Sequence, residues 1–282
     1  MKALIGLLLL VAVAVLLMAG WRQWDRRSDD QAWRMLIEAA GASADSFDPV
    51  LIRDLPEPAQ RYFLYTIRPG TPVHRAVEIT MTGELGLGTK DHPNYRPMSA
   101  HQLLAPPHGL VWKLRTGAIT GSDGATPDES WTRFWLFGLV PIVRVGDDDN
   151  HHRSAFGRVV AEAAFWAPAS LLPGDTVRWE SVSDSVARAI ATNDRFEQAV
   201  DITVADDGRP TRIVIQRWSN ENSERTFREQ PFGGELSDFT EFDGYRLPTR
   251  VEGGNHIGTD DYFPFFKARV TGIRFPQPGP QH

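Results

Sequence analysis

The chain contains no cysteine. That excludes disulfides, thiolate nucleophiles, cysteine-bound metal and a lipid-modified N-terminal cysteine. There is no basic surplus either. The formal net charge of −6 argues against a nucleic-acid partner, which would want a basic face. No G-x-S-x-G elbow and no H-E-x-x-H helix occur. His74, His101, His108 and His256 are scattered and form no local pattern with a serine. The sequence therefore names no reaction, no metal and no cofactor.

One long uncharged run is present. Residues 3–20, Ala-Leu-Ile-Gly-Leu-Leu-Leu-Leu-Val-Ala-Val-Ala-Val-Leu-Leu-Met-Ala-Gly, carry no charge. As a helix they would span about 27 Å, close to a bilayer's hydrocarbon thickness. Trp21 and Trp24 come next, where indoles favour the headgroup layer. A cleaved signal peptide is the rival reading, but a cut after Ala19 would put Leu17 at −3, where a small residue is wanted. The expectation is an uncleaved anchor. Arg22, Arg26 and Arg27 after the span, counted strictly, would hold the body in the cytoplasm. The very short tail with Lys2 acts instead as a start signal that exports the rest of the chain, so an extracytoplasmic, periplasmic body is expected.

The implied division is residues 1–21 as anchor or signal segment and 22–49 as juxtamembrane helix and linker. Residues 50–275 form one β-rich globular domain, and 276–282 a disordered tail. Ser28 with Gln31 reads as a capping box opening a short helix, with Trp33, Leu36, Ile37 and Ala40 as its stripe and Gly41 as its stop. A second short helix starts near Pro56 or Pro58, with Ala59, Tyr62, Phe63 and Thr66 on one face.

From residue 77 the period becomes two. Val77, Ile79 and Met81 alternate with Glu78, Thr80 and Thr82. Similar runs lie near 98–104, 110–115, 131–137, 140–145, 176–181 and 186–192. Asp207-Gly208 and Asp243-Gly244 mark two hairpins. In the last strand the alternation slips at Thr271-Gly272, which predicts a bulge. One helix interrupts the strands over roughly 153–166. Its Phe156, Val159, Val160 and Ala163 stripe is joined by apolar residues around most of its circumference, so it should be buried. The fold class expected is α+β, mostly antiparallel: an N-terminal transmembrane helix, two short helices, then a curved meander or half-barrel with one buried helix.

Three clusters attract chemical readings. Arg158 and Glu162 lie four apart on the buried helix: they read as an ordinary i,i+4 ion pair in a solvated gap or, where water is excluded, as groups that must pair with each other or with a ligand's polar group. Asp147-Asp148-Asp149-Asn150-His151-His152 is dense in metal-capable side chains but lacks calcium-loop spacing, and reads as a solvated turn. Gly83-Glu-Leu-Gly-Leu-Gly-Thr-Lys90 has a phosphate loop's composition in the wrong order, and reads as a hairpin loop.

The segment Arg158-Val-Val-Ala-Glu162-Ala-Ala-Phe-Trp166-Ala-Pro168-Ala-Ser-Leu171-Leu172-Pro173, followed by Trp179, resembles the bacterial DUF6544 family. So do the opening helix Leu55-Pro-Glu-Pro-Ala-Gln-Arg61-Tyr62 and the turn Asp243-Gly244-Tyr-Arg-Leu247-Pro248. The likeness covers most of residues 50–275. It supplies no activity. It implies a mostly antiparallel fold similar to lipoprotein-carrier half-barrels, which hold acyl chains.

Nine Trp and fifteen Phe must fill either a core or an apolar pocket. The leading expectation is a membrane-anchored binding domain for a hydrophobic ligand such as a lipid or acyl chain. Its expected ligand-binding residues are Trp112, Trp131, Trp135, Arg158, Glu162, Phe165, Trp166 and Trp179. One alternative is a hydrolase of a membrane-derived substrate, with Glu162 as general base and Arg158 orienting it. Another is a structural or partner-binding module of an envelope complex. The expected partners are the bilayer and a hydrophobic small molecule.

Overall fold

The structure is a computed structural model that describes residues 1–41 and 43–277. One helix, α1, runs unbroken over Lys2–Ala40, and the chain then turns through a 3-10 segment, Pro49–Ile52, into α2, Glu57–Thr66. A first run of strands comes next: β1 Val77–Gly86, β2 Tyr95–Ala105, β3 Gly109–Thr116, β4 Ile119–Ala125, β5 Ser130–Leu136 and β6 Val140–Gly146. Then comes α3, Asp149–Trp166, and a second 3-10 turn, Pro168–Leu171. A second run completes the chain: β7 Val177–Ser183, β8 Val186–Thr192, β9 Glu197–Val204, β10 Pro210–Ser219, β11 Arg228–Phe242, β12 Tyr245–Asn255 and β13 Phe263–Arg274.

The two runs are antiparallel meanders, joined where β1 pairs with β13 into one 13-stranded sheet. Its edges, β6 and β7, do not pair with each other, so the sheet is open. α3 leaves one edge strand and delivers the chain to the other. It touches β2 to β6 on one side and β9, β10 and β12 on the other, so the sheet curves around it. This is the mostly antiparallel, unclosed architecture expected. Phe156, Val159, Val160 and Ala163 are all buried against the sheet. The predicted bulge is present: Thr80 pairs with Gly272 and Met81 with Val270, leaving Thr271 as the extra residue.

Strand alternation divides the side chains between two layers. Gln102, Leu104, Leu110, Trp112 and Asp123 face α3. Leu103, Val111, Ser122, Trp131 and Trp135 face away from it and meet the C-terminal half of α1, where Ala32, Leu36 and Ala40 complete a separate small core. Two buried aspartates fasten this layer. Asp25 accepts from Trp135 Nε1 at 2.8 Å and from Arg144 at 2.7 and 3.1 Å. Asp29 accepts from Ser122 Oγ at 2.8 Å, and Ser122 in turn accepts from Trp131 Nε1 at 3.0 Å.

Several local readings are corrected. Ser28 does not cap a new helix. It lies mid-helix and accepts from Arg133 Nη1 at 3.3 Å, because the apolar run and the amphipathic segment share one helical register. Of Asp147–His152, only Asp147 and Asp148 form the exposed turn, and the helix takes up the rest. Asp148 caps α3 by accepting from the backbone N–H of Asn150 and His151, and both histidines are helical. Gly83–Gly86 belongs to β1, and only residues 87–94 form the loop. β4 escapes a reading by periodicity, because Gly, Ser and Asp are poor strand formers. Of the tail expected to be disordered, residues 278–282 lie outside the described residues, while Gln277 Nε2 meets His74 Nδ1 at 3.0 Å.

Candidate functional site

The concave layer is not filled everywhere. On β11 and β12 the paired residues facing α3 are Leu236 with Val251, then Gly234 with Gly253. The glycine pair presents no side chain, and a cavity of about 230 Å³ lies between it and α3. Its walls are mostly apolar: Leu85, Trp112, Phe165, Ile213, Phe232 and Phe266. A second, more polar space of about 740 Å³ adjoins it, with Asp123, Arg158, Arg217 and Phe265 as shared walls. His151, Ser154 and Glu221 also border the outer space. Together the two fall inside the range of small-molecule sites, about 300–1,000 Å³.

Arg158 organises the boundary between them. Its Nε donates to Glu162 Oε1 at 2.6 Å and its Nη1 to Asp123 Oδ2 at 2.6 Å. Its Nη2 reaches Gln102 Oε1 at 3.4 Å, and Gln102 Nε2 donates to Glu162 Oε2. The guanidinium lies 5.1 Å from the centre of the Trp112 ring, within cation–π range. Burial by itself would lower the Arg158 pKa, but Glu162 and Asp123 outweigh it and hold the group above its ordinary value.

The network continues outward. Thr132 Oγ1 donates to Asp123 Oδ1 at 2.7 Å. The same hydroxyl lies 3.1 Å from His151 Nε2, and His151 Nδ1 lies 2.8 Å from the Ser130 hydroxyl. Asp123 thus has acceptor duties toward both Arg158 and Thr132.

One donor in the site lacks a partner, and a second makes a single hydrogen bond. Trp112 is 7% exposed, and its Nε1–H has no acceptor among the described residues. Buried indole N–H groups usually find one. Arg217 has only a contact from Nε to Ser154 Oγ, at 3.1 Å, and stacks 4.7 Å from the Phe232 ring centre. Among the described residues it makes no ion pair. Burial first, and then repulsion from Arg158, push its pKa down to about 10.

Of the expected site residues, Trp112, Arg158, Glu162 and Phe165 line the cavity together. The other four lie elsewhere. Trp131 and Trp135 point to the opposite face, against α1, because odd positions of β5 face that way. Trp166 is fully buried in the core, its Nε1 donating to Pro248 O at 3.3 Å. Trp179 packs on Tyr62 and Phe63 and donates to Leu171 O at 2.9 Å. Sequence reasoning missed Arg217, Phe266 and the glycines. The available signal was the doublet Gly233-Gly234 in one strand and Gly253-Gly254 in the next.

The profile of a family described as "Family of unknown function (DUF6544)" matches residues 45–268. No curated protein matches the chain. Among solved structures, the chain is similar to a domain described as a putative outer membrane lipoprotein-sorting protein domain from Vibrio parahaemolyticus. That likeness has 14% identity, covers 71% of this chain and 85% of that one, and has a TM-score of 0.36. So low a score carries no argument about the site.

Proposed function

The chain belongs to the DUF6544 family, and from its own cavity we propose that it is a membrane-anchored binding protein for a hydrophobic ligand such as a lipid or acyl chain. The observation that carries this is the apolar space beneath α3, floored by Gly234 and Gly253 and opening past the unpartnered Trp112 Nε1–H and the Arg217 guanidinium, which makes no ion pair among the described residues. The ligand's chain occupies the apolar part. Its polar end lies at the boundary, within reach of Trp112 Nε1 and the Arg217 guanidinium. Ten methylenes withdrawn from water contribute about 8 kcal/mol, the scale of a micromolar complex before ordering costs. No catalytic group is needed.

The apolar part of α1 serves as the anchor. It is long and apolar enough to cross a bilayer, and none of its residues is buried by the domain. A general-base role for Glu162 is disfavoured, because Arg158 and Gln102 occupy both its oxygens.

The test is to purify the full chain in detergent, extract it with organic solvent and identify bound lipid by mass spectrometry. A stoichiometric amphiphile is expected, displaced by a fluorescent fatty-acid probe. A protein that comes out empty and leaves the probe's emission unchanged would sink the proposal.

A further inference from the structure

Apolar exposure outside α1 is concentrated at one place. Among the described residues C-terminal to that helix, six of the eleven exposed large hydrophobic side chains are Phe137, Leu139, Val140, Ile142, Val143 and Val145. They form the β5–β6 turn and the edge strand β6. The other edge strand, β7, carries Arg178, Glu180, Ser181 and Ser183, with Val182 as its one exposed large hydrophobic side chain. Edge strands are ordinarily blunted by charge, so a bare apolar edge calls for a cover.

The position of this hairpin identifies the cover. β5 runs antiparallel to α1. Trp131 packs with Ala32 and Leu36, Arg133 meets Ser28, and Trp135 meets Asp25 and Trp21. Two residues further, about 7 Å at strand spacing, correspond to four or five helix residues. Phe137 therefore stands level with Leu17–Gly20, the last turn of the uncharged run. Met18 is the one residue of positions 2–20 that the domain partly covers. Arg144 lies 4.3 Å from the Trp21 ring centre, so a cation and an indole sit just behind the tip, as at a headgroup layer.

The turn itself breaks a local rule. Phe137 and Gly138 both have positive φ, 51° and 69°, and Leu139 N donates to Leu136 O at 3.1 Å. That left-handed pair favours Asn-Gly or Asp-Gly. The β11–β12 hairpin obeys, with Asp243 and Gly244 at 46° and 91°. A phenylalanine in that strained conformation, 75% exposed, has no packing reason within the chain.

We infer that the β5–β6 hairpin inserts its tip into the bilayer interface beside α1 and docks the domain against the membrane. This rests on the reading of α1 as an anchor. The occupant is the lipid surface, because the patch is continuous with the anchoring helix and ends where that helix becomes polar.

The absence of cysteine makes the test clean. Single variants Leu10→Cys, Phe137→Cys, Val140→Cys and Asp207→Cys of the full chain are nitroxide-labelled and placed in phosphatidylcholine/phosphatidylglycerol vesicles. Accessibility to oxygen against a water-soluble nickel chelate gives each label's depth. The expected ratio is highest at 10, several-fold above that of 207 at 137 and 140, and aqueous at 207. A deep label at 10 with 137 and 140 as wet as 207 overturns the docking and leaves the anchor standing. An aqueous label at 10 overturns both. Spin–spin broadening at 140 that vanishes on dilution with unlabelled chain would assign the edge to a second copy and overturn the lipid contact.

Discussion

Gly234 and Gly253 stand directly opposite each other in the β11–β12 ladder, both facing α3. In a curved sheet wrapped round a helix, that pair is where the wrapping leaves space. Ala161 is the small side chain among the α3 residues that line it. Ala161→Leu should fill the cavity at little structural cost and weaken binding of a fatty-acid probe at least tenfold, with circular dichroism and melting temperature held or improved. Unchanged probe affinity in a folded Ala161→Leu protein would place the ligand elsewhere.

Arg217 should be dispensable for folding and not for binding. Burial and Arg158 already depress its pKa to about 10, and it has no carboxylate to leave stranded. Arg217→Met exchanges the guanidinium stack on Phe232 for an apolar side chain of similar reach, so thermal stability should shift by no more than about 1 kcal/mol. Affinity for a fatty acid should fall toward that of the matching alcohol, since the charge-assisted bond is lost. Equal loss for both ligands would assign Arg217 to shape alone.

Arg158 should behave in the opposite way. It has 13% of its side chain exposed and serves Asp123 and Glu162 at once. Arg158→Ala leaves two partly buried carboxylates without their shared cation, a loss of about 3–5 kcal/mol in thermal or urea unfolding. Arg158→Met combined with Glu162→Leu should recover part of that. A single variant as stable as the parent would mean that water reaches the pair.

Trp166 is fully buried between α3 and β12. Trp166→Ala should cost about 3–5 kcal/mol, a large share of a domain's stability. A melting temperature within a degree or two of the parent would remove the cavity's support.

Asp29 gives a pH signature. Burial, opposed by the Ser122 hydrogen bond, raises its pKa from 3.8 to about 6. The folded state then binds the proton more tightly than the unfolded chain. Stability from this group is therefore greatest at low pH and is lost as pH rises from about 4 to about 6, by at most about 3 kcal/mol. Asp29→Asn, measured across that window, should flatten this component and raise the melting temperature at pH 7. An identical pH profile for both proteins would mean that Asp29 is wet and α1 is not seated on the sheet.

Period and punctuation alone determined much of this protein. The apolar run, the α2 and α3 stripes, the hairpins at Asp207-Gly208 and Asp243-Gly244 and the Thr271 bulge are local, since backbone geometry repeats along the chain. Facing and partners are not local. Trp112 and Trp131 look alike in the sequence, yet one lines the cavity and the other packs under α1, because register places β3's even positions and β5's odd positions on opposite faces. β4 shows the physical reason most plainly. Ile-Thr-Gly-Ser-Asp-Gly-Ala has no strand propensity to read. It is a strand because Ser122 meets Asp29 on one face while Asp123 meets Arg158 on the other. Those pairings join residues 93 and 35 positions apart, and only the folded sheet brings them together.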